Sequence, residues 1–388
     1  MKKKIAILGC TGSIGKTLIN ILKKDKKNIE IILLVANKNN NELIKQAKFF
    51  NVKNIIIIDK KKFLITKKLL SKSNIDVYNN YDSLDIIFKN KSLDYTMSAI
   101  SGLTGLIPTI KIIKHTKKIA IANKESIICA WPLIQKELKK YRTKFVPIDS
   151  EHFSIYSLLD KSTNRDIEKI YITASGGPFN KYRLKDFKKI TPKSALNHPN
   201  WKMGKKISID SATMMNKVFE VIEAKKIFNL DYDKLDILVH PKSYVHAMIK
   251  FKNGLTKILI HDTNMIIPIF NSLYPDNKKF IKSKKLDFLI INNLNFNKID
   301  EKKFPVTKIL KRLPKNHSLF ETLLVCANDN LVRMFLQNKI KFLDISKVLL
   351  KITNNKKYTK YKHITPKSVD DIVKFNDYVS LKINSLSI

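Results

Sequence analysis

Short apolar runs alternate with helix-like segments over the first 150 residues of the chain. KIAIL, IEIILLVA and NIIII are near-continuous apolar runs typical of buried strands, whereas TLINILKK and NELIKQAKFF place their apolar residues at helical spacing. Strands and helices that alternate in this way favour a doubly wound parallel sheet with helices on both faces. Residues 1–148 are therefore predicted to form an α/β domain of this kind.

The pattern changes after residue 148. IYITASGGPFN predicts a strand that enters a loop, and KISIDSATMMNKVFEVIEAKKIF predicts a strand or loop that becomes a helix at Asp210–Ser211. LDILVHPKSYVHAMIKF and GLTKILIHD read as strands joined by a hairpin turn at Asn253–Gly254. Residues 149–275 are predicted to be an α+β domain, 276–300 a polar linker and 301–388 a helical C-terminal domain.

The charge of the chain changes this picture little. The 74 basic residues exceed the 33 acidic ones and give a formal net charge of +41, but only five of the basic residues are arginine. The lysines are scattered through every segment and accompany abundant Asn and Ile, a composition typical of an AT-rich genome. Lysine also lacks the bidentate fork that phosphate and base readers favour. No specific nucleic-acid partner is predicted.

Cysteine usage and the N-terminal segment bear on the compartment. The three cysteines, Cys10, Cys129 and Cys326, have no paired spacing, which excludes a CxxC motif and fits a reducing cytoplasm. The apolar segment before Gly9 is too short for a signal sequence, and no apolar run approaches about 18 residues. A cytoplasmic protein without a membrane span is expected.

A glycine-rich loop, GCTGSIG, follows the first predicted strand and opens the first predicted helix. In this context the pattern indicates a dinucleotide whose pyrophosphate lies at the helix N-terminus; an ordinary tight turn is the alternative. The end of the second strand, Asn37-Lys38-Asn39, carries no acid for a ribose hydroxyl, which favours NADP(H) over NAD. Eight of the nine glycines fall in clusters where a side chain is expected not to be tolerated: Gly9, Gly12 and Gly15; Gly102 and Gly105; Gly176 and Gly177; and Gly204.

Three carboxylates are candidates for a hard divalent cation, which prefers oxygen ligands. Asp149 and Glu151 follow the last strand of the first domain, and in an extended segment residues two apart face the same side. Glu220 lies on the helix of the DSATMMNK segment. The alternative for the first pair is helix capping, with Asp149 or Ser150 as the N-cap.

Polar residues near these carboxylates suit a phosphate. Ser211 is a candidate helix cap beside exposed N–H groups, and Asn216, Lys217 and Glu220 share one neighbourhood of the same helix. A solvated Lys–Glu pair is the alternative for this group, and a surface lysine is the alternative for Lys124, which follows another strand. The stretch between Ser175-Gly176-Gly177 and HPNWKMG has turn residues at both ends, as expected of a hinged lid.

In combination, the motifs GxTGSIG, ANKES, PxDSEH, SGGPF, HPNWxMG and KISxDSATMMNK resemble the 1-deoxy-D-xylulose 5-phosphate reductoisomerase family over nearly the whole chain. The resemblance implies a Rossmann-like NADPH-binding domain, a central catalytic domain with a flap and a C-terminal helical domain. It implies Mg²⁺ or Mn²⁺ as the metal and a homodimer. Asn37, where the family often has glycine, and Asp329, where Glu is common, are departures that remove no proposed ligand.

Residue roles follow from the resemblance by position. The metal ligands would be Asp149, Glu151 and Glu220, and the candidate catalytic residues are Lys124, Glu151 and His198. The substrate would contact Lys124, Ser150, Glu151, Ser175, His198, Trp201, Ser211, Asn216, Lys217 and Glu220, with Met203 also in the flap. The cofactor would contact Thr11, Gly12, Ser13, Ile14, Asn37, Lys38, Asn39, Asn123, Glu125, Gly204 and Met265.

The implied reaction breaks and remakes a carbon–carbon bond of the ketose phosphate in a retro-aldol/aldol sequence. NADPH then reduces the resulting aldehyde to 2-C-methyl-D-erythritol 4-phosphate. Two alternatives remain at this point. Another NADP-dependent dehydrogenase of a phosphorylated metabolite would oxidise or reduce its substrate without rearranging the skeleton, and a polyanion-binding module would use the high positive charge alone.

Overall fold

The computed structural model describes residues 2–89, 92–159, 166–201, 203–275 and 279–385. The chain forms two compact units. The first comprises Met1–Ser126, Pro132–Asp149 and Met265–Ile281, and the second comprises Ile127–Trp131, Ser150–Asn264 and Lys282–Ile388. The α/β fold class expected from the alternating pattern is confirmed.

The first unit is built on a seven-stranded sheet in the order β4-β3-β2-β1-β5-β6-β7, in which every neighbouring pair is parallel. The strands are β1 (Lys3–Leu8), β2 (Ile29–Ala36), β3 (Asn54–Ile57), β4 (Asp76–Tyr78), β5 (Tyr95–Ser98), β6 (Lys118–Ile121) and β7 (Lys144–Pro147). The strand order reverses direction at β1. Ligands of open α/β sheets bind at the carboxyl ends of the strands at such a switch point.

Helices connect these strands. They are α1 (Ser13–Lys23), α2 (Asn40–Phe50), α3 (Lys60–Leu69), α4 (Ser83–Ile87), α5 (Leu106–Ile113) and α6 (Lys124–Lys140), with short 3₁₀ turns at Lys26–Asn28 and Leu103–Gly105. Residues 127–131 of α6 belong to the second unit, and the helix is kinked at Ala130, two residues before Pro132. A proline inside a helix removes a backbone hydrogen bond, which explains the kink.

The core of the first unit lies between the sheet and its helices. Ile5, Ile7 and Leu34 from the central strands are fully buried in one apolar cluster with Leu18 of α1. A later segment, α11 (Ile266–Leu273), adds Ile269 to the same cluster. Burial of such side chains contributes about 1.5–3 kcal/mol each. The apolar strand runs of the sequence are therefore the interior of this unit.

The second unit contains a five-stranded mixed sheet in the order β11-β10-β8-β9-β12. Its strands are β8 (Ile167–Ala174), β9 (Leu235–Val239), β10 (Val245–Phe251), β11 (Thr256–Ile260) and β12 (Asn297–Lys298). β8 and β9 are parallel, whereas the pairs β8–β10, β10–β11 and β9–β12 are antiparallel. The hairpin predicted at Asn253–Gly254 joins β10 to β11, and Gly254 has the positive φ of 85° that such turns require.

The helices of the second unit are α7 (Ser150–Leu159), α8 (Pro192–Ala195), α9 (Lys205–Thr213), α10 (Met215–Phe228), α12 (Phe288–Asn292), α13 (Leu319–Leu336), α14 (Phe342–Asn354), α15 (Lys356–Thr359) and α16 (Val369–Asn384). Short 3₁₀ helices lie at Leu184–Lys189, Tyr232–Lys234, Pro305–Arg312 and Lys360–His363. Of the helices of this unit, α7 and α10 pack on the five-stranded sheet, and α13 packs on α9, α14 and α16. The helices α7 and α10 carry Glu151 and Glu220, two of the three acidic residues predicted to bind a metal.

The compact units divide the chain differently from the predicted domains. Residues 265–281 belong to the first unit, although the sequence grouped 265–275 with the central domain. The C-terminal helices share the second unit with 150–264 because α13 packs on α9 and α16. Part of the predicted 276–300 linker forms β12, which pairs with β9, while residues 276–278 of that linker lie outside the described residues.

Glycine positions test the expectation about side chains. At Gly9 φ is 87° and a Cβ would lie 2.6 Å from the Ala99 carbonyl oxygen, so only glycine fits. The expectation is wrong at Gly204, where φ is −65° and a Cβ would meet nothing within 4 Å. Composition showed that this glycine was unusual, but not that space is available beside it.

No helix among the described residues is both long enough and apolar enough to cross a membrane. The three cysteines are free and buried.

Candidate active site

The three acidic residues predicted as metal ligands lie together. Asp149 follows β7, Glu151 lies in the first turn of α7, and Glu220 lies on α10. Each offers a carboxylate oxygen, and these oxygens lie within 4.8 Å of one another. The premise of an extended segment is wrong for Glu151, because α7 begins at Ser150. The convergence depends instead on where α10 places Glu220.

Two lysines lie against these carboxylates. The Lys217 Nζ atom is 3.0 Å from Glu151 Oε1, forms an ion pair with Glu220 Oε2, and donates to the Thr173 carbonyl oxygen at 2.5 Å. Lys124 forms an ion pair with Asp149. All of these side chains are largely buried, so the pairs are poorly screened by solvent. The solvated Lys–Glu pair considered from the sequence does not describe Lys217, and Lys124 is not a surface lysine.

The donor set fits a hard divalent cation. Three carboxylates converge, and neutral groups orient two of them: Asn216 Nδ2 donates to Glu220 Oε1, and the Ser150 hydroxyl donates to Glu151 Oε2. Mg²⁺ and Mn²⁺ prefer oxygen ligands of this type. Like charges this close repel strongly unless cations neutralise them. The cluster is therefore suited to binding a cation.

Ser211 does not begin a helix, contrary to the sequence prediction. It lies in the last turn of α9, and α10 starts after Met214, whose φ of 68° is left-handed. The segment KISID is helical because Asp210 is buried against α13, where Asn328 Nδ2 donates to Asp210 Oδ1 at 2.7 Å. Alternation over so few residues favours a strand only weakly, and tertiary contacts such as this one override it. Ser211 and Asn216 thus belong to two consecutive helices.

The loop after β8 approaches the end of α9. Gly177 has a φ of 65°, and a Cβ there would lie 2.9 Å from the Ser211 carbonyl oxygen, so glycine permits this close approach. Ser175 Oγ accepts from Gly177 N at 3.0 Å and contacts His198 Nε2 at 3.0 Å. The structure therefore brings Ser175, Ser211 and His198, three predicted substrate contacts, into one neighbourhood.

The protonation state of His198 follows from its partners. Its Nδ1 accepts hydrogen bonds from the backbone N–H groups of Asn200 and Trp201, at 3.1 and 3.0 Å, so Nδ1 carries no proton. The neutral ring must then carry its proton on Nε2 and donate it to Ser175 Oγ. Burial lowers the pKa of His198 to about 4. His198 is consequently a neutral hydrogen-bond donor near pH 7.

The predicted flap residues are anchored at their start. Asn200 Nδ2 donates to the Pro241 carbonyl oxygen at 2.7 Å and to Ser243 Oγ at 2.9 Å. The Trp201 ring packs edge-on against His246, with ring centroids 6.1 Å apart. Trp201 and Met203 are half-buried, and Gly204 is the N-cap of α9. The segment therefore leads directly into the helix that carries Ser211.

In the first unit, the glycine loop lies between β1 and α1, at the switch point of the sheet. Gly9 N and Cys10 N donate to the Val35 carbonyl oxygen at 2.9 and 3.0 Å, which fixes the turn. Gly12 is the N-cap of α1, and no side chain caps the helix. The first N–H groups of α1, near Ser13 and Ile14, are thus suited to a phosphate.

The other predicted cofactor contacts in the first unit are partly exposed and partly buried. Asn37, Lys38 and Asn39 are exposed after β2, but the Asn39 side chain also caps α2 by accepting from Glu42 N at 3.2 Å. Asn123 caps α6 by accepting from Ser126 N at 2.6 Å and is buried, so its side chain has a structural role. The remaining predicted contacts, with their positions, are Glu125, buried in α6, and Met265, half-buried before α11.

Sequence reasoning missed two groups beside the carboxylates. His152 is fully buried, and its Nε2 lies 2.9 Å from the Glu220 carbonyl oxygen. The Thr173 carbonyl oxygen accepts from Lys217, as described above. His152 directly follows Glu151 in the SEH motif, but neighbouring residues of a helix face different sides, so the sequence did not reveal its contact with Glu220. No side-chain pattern could have revealed a backbone carbonyl.

Family models of reductoisomerase domains match most of the chain. The 1-deoxy-D-xylulose 5-phosphate reductoisomerase model matches residues 5–131, the model of its C-terminal domain matches 145–228, and the DXP reductoisomerase C-terminal domain model matches 261–380. A protein of the same description from Pelagibacter ubique (strain HTCC1062) is 62% identical over the full length of both chains. One from Sulfurihydrogenibium sp. (strain YO3AOP1) is 40% identical over 95% of this chain and 94% of its own.

Solved structures agree with the sequence relatives. The 1-deoxy-D-xylulose 5-phosphate reductoisomerase of Zymomonas mobilis in complex with NADPH is 32% identical, with a TM-score of 0.88 over 99% of this chain and 98% of that one. A DOX-P reductoisomerase in complex with NADPH, fosmidomycin and magnesium is 30% identical, with a TM-score of 0.90 over the same shares of the two chains.

Proposed function

The chain belongs to the 1-deoxy-D-xylulose 5-phosphate reductoisomerase family, and from this premise we propose which of its residues perform the reaction. The enzyme converts 1-deoxy-D-xylulose 5-phosphate to 2-C-methyl-D-erythritol 4-phosphate with NADPH and Mg²⁺ or Mn²⁺, a step in isoprenoid precursor biosynthesis. A dehydrogenase that leaves the carbon skeleton intact is not favoured, because the family is matched over the full chain.

We propose that the first unit binds NADPH and that the second binds the substrate phosphate and, with Asp149, the metal. NADPH supplies the hydride when it is bound. The open N-terminus of α1 would bind its pyrophosphate, with Thr11, Gly12, Ser13 and Ile14 around it. Lys38, exposed after β2, would face the 2′-phosphate with Asn37 and Asn39. The other cofactor contacts would be Asn123, Glu125 and Met265.

Asp149, Glu151 and Glu220 would hold the divalent cation. The observation that carries this assignment is the convergence of three carboxylate oxygens within 4.8 Å. A cation bound there would supply Lewis-acid stabilisation of negative charge on substrate oxygens. His152 would orient the site by its bond to the Glu220 backbone, as outer partners of metal ligands do.

The phosphate would be bound by Ser175, Ser211, Asn216 and Lys217. Two of these, Ser175 and Ser211, come from segments in close approach at Gly177. Binding energy from this remote group can be used to orient the reacting carbons, which is how non-reacting parts of a substrate contribute to turnover. Ser150 and Lys124 would contact the sugar backbone. The Lys124 ammonium would stabilise the oxyanions that form in both halves of the reaction.

His198 would act as a donor rather than as a base. Its Nδ1 is occupied by two backbone N–H groups, and its pKa near 4 keeps the ring neutral. Its Nε2 proton is therefore available to Ser175 or to a substrate oxygen. Trp201 and Met203 would exclude water from the reacting carbons, which strengthens each electrostatic contact. Glu151 and Lys124 are the candidates for proton transfer.

The deciding experiment measures NADPH absorbance after addition of 1-deoxy-D-xylulose 5-phosphate, with Mn²⁺ or Mg²⁺ and with a chelator. We expect oxidation of NADPH only with metal, and a product that mass spectrometry and NMR identify as the branched methylerythritol phosphate. Metal-independent oxidation would remove the carboxylate cluster from the mechanism. Oxidation to an unbranched product would instead restore the dehydrogenase alternative.

We also propose a cytoplasmic homodimer. The edge strand β11 exposes Ile258, and a later segment of the same unit exposes Leu286, Phe288 and Leu289. Exposed apolar side chains of this kind are suited to an interface with a second copy of the chain. Three free cysteines fit a reducing compartment. Sedimentation equilibrium should give twice the 44.9 kDa chain mass, and a monomer at assay concentration would contradict the proposal. Cell fractionation tests the compartment.

A further inference from the structure

Lys217 has two competing roles in the second unit. The resemblance to the family would place it at the substrate phosphate, whereas its Nζ lies 3.0 Å from Glu151 Oε1 and forms an ion pair with Glu220 Oε2. Lysine has one compact ammonium on a flexible stem, so it cannot occupy both positions at once. The position seen here is on two of the three carboxylates that would bind the metal.

The ion pair is strong enough to matter for binding. The side chains of Lys217 and Glu220 are 6% and 1% exposed, and the Thr173 carbonyl oxygen accepts a further bond from Nζ. Charges that are this buried interact at low effective dielectric and are poorly screened by salt. An ammonium and a divalent cation on the same carboxylates would repel each other. Metal binding therefore favours movement of Lys217 away from Glu151 and Glu220.

Lys124 repeats this arrangement in the first unit, where it forms an ion pair with Asp149. Each of the three converging carboxylates is thus paired with a lysine. Neutralisation by lysine explains how three acidic groups remain close together without mutual repulsion.

We propose that Lys217 is an internal counter-cation, which a divalent metal displaces from Glu151 and Glu220 and which then becomes available to the substrate phosphate. The proposal rests on the metal and phosphate sites of the proposed function. It links the two sites, because metal at the carboxylates frees the ammonium and phosphate draws it away from them. Linkage is reciprocal, so each ligand must raise the affinity of the protein for the other.

Mn²⁺ binding tests the proposal without turnover. Free Mn²⁺ is measured by its EPR signal in titrations of the full-length protein, without substrate or NADPH. We expect Lys217→Met to bind Mn²⁺ about tenfold more tightly than wild type, within the range of typical coupling between sites. Inorganic phosphate should tighten Mn²⁺ binding to wild type and to Lys217→Arg, which keeps the charge, but not to Lys217→Met.

Lys225→Met is the matched control. Lys225 lies on the same helix, about 12 Å further along its axis, and its Nζ contacts Asp231 and the Leu230 carbonyl oxygen rather than the cluster. The Lys225→Met substitution removes the same positive charge as Lys217→Met and should leave Mn²⁺ affinity unchanged. Lys217→Gln replaces Lys217→Met if circular dichroism shows that the methionine variant does not fold.

The outcomes separate this inference from the function on which it rests. Equal or weaker Mn²⁺ binding by Lys217→Met, with wild-type binding intact, overturns the counter-cation and leaves the metal site standing. Phosphate enhancement that persists in Lys217→Met would indicate direct contact between phosphate and metal, and it also overturns the proposal. Absence of Mn²⁺ binding by wild type would overturn the metal site itself and the inference with it.

Discussion

Glu220→Gln should lower turnover at least about 100-fold. Loss of a residue that only orients a metal ligand costs up to about 100-fold, and loss of a ligand itself should cost at least as much. The amide is neutral, so the cluster loses one of the three charges that attract the cation. The shape of the side chain is nearly unchanged, and Asn216 can still contact it, so fold and NADPH affinity should persist. Steady-state kinetics over a range of Mn²⁺ concentrations measures the effect.

Metal affinity distinguishes this explanation from a general defect. If Glu220 is a ligand, Glu220→Gln should also lose Mn²⁺ binding in the EPR titration, and high metal concentrations should restore part of the turnover. Activity close to wild type at limiting metal would contradict the assignment. Glu321→Gln provides the control. Glu321 is a buried carboxylate in the same unit that is not part of the cluster, so this variant should retain Mn²⁺ affinity.

Glu321→Gln should lower the free energy of unfolding by about 3 kcal/mol, as expected when one partner of a buried ion pair is removed. Lys226 Nζ lies 2.9 Å from Glu321 Oε1, and both side chains are buried. Glu321 Oε2 also accepts from the N–H and hydroxyl of Ser318, closing the capping box of α13. Urea unfolding at pH 7 measures the loss.

The pH dependence of this effect has a definite sign. Burial alone would raise the pKa of Glu321, but the Lys226 charge and the contact with His317 outweigh it and lower the pKa to about 2. Because its pKa is depressed, ionised Glu321 stabilises the fold at pH values above 4.5, the ordinary pKa of this carboxyl group. That stabilisation is lost as the pH falls toward 2. The difference between wild type and Glu321→Gln should therefore shrink below pH 4.5. A difference that stays constant down to pH 3 would contradict the ion-pair explanation.

Local sequence patterns were sufficient to predict the parallel-sheet fold of the first unit. KIAIL, GCTGSIG and the helix after it are contiguous, and the preference for a parallel sheet follows from their alternation. The hairpin at Asn253–Gly254 was also confirmed, because its turn chemistry is encoded in two adjacent residues. These features depend on neighbours in sequence, which is why the sequence alone could predict them.

Features that depend on distant contacts were not predictable. The KISID segment is helical because Asp210 is held by Asn328 of α13, more than 100 residues later. The ion pair between Lys226 and Glu321 has the same origin. The candidate site lies between these cases: motifs identified Glu151 and Glu220, but only the fold showed that Lys217 lies on their carboxylates. The functional roles of these residues stay predictions until the variants are measured.

The left-handed Met214 has a consequence for engineering a more stable enzyme. A non-glycine residue in this conformation costs on the order of 1 kcal/mol, and here it is almost fully buried, at 2% exposed. Packing of Met214 and Met215 offsets the cost, while the turn sets the angle between the helices that carry Ser211 and Asn216. Met214→Gly would relieve that strain, but it would also remove a buried side chain, at a cost of about 2–5 kcal/mol, and loosen the turn. Stability and the alignment of the proposed phosphate site therefore both favour the strained methionine over glycine at this position.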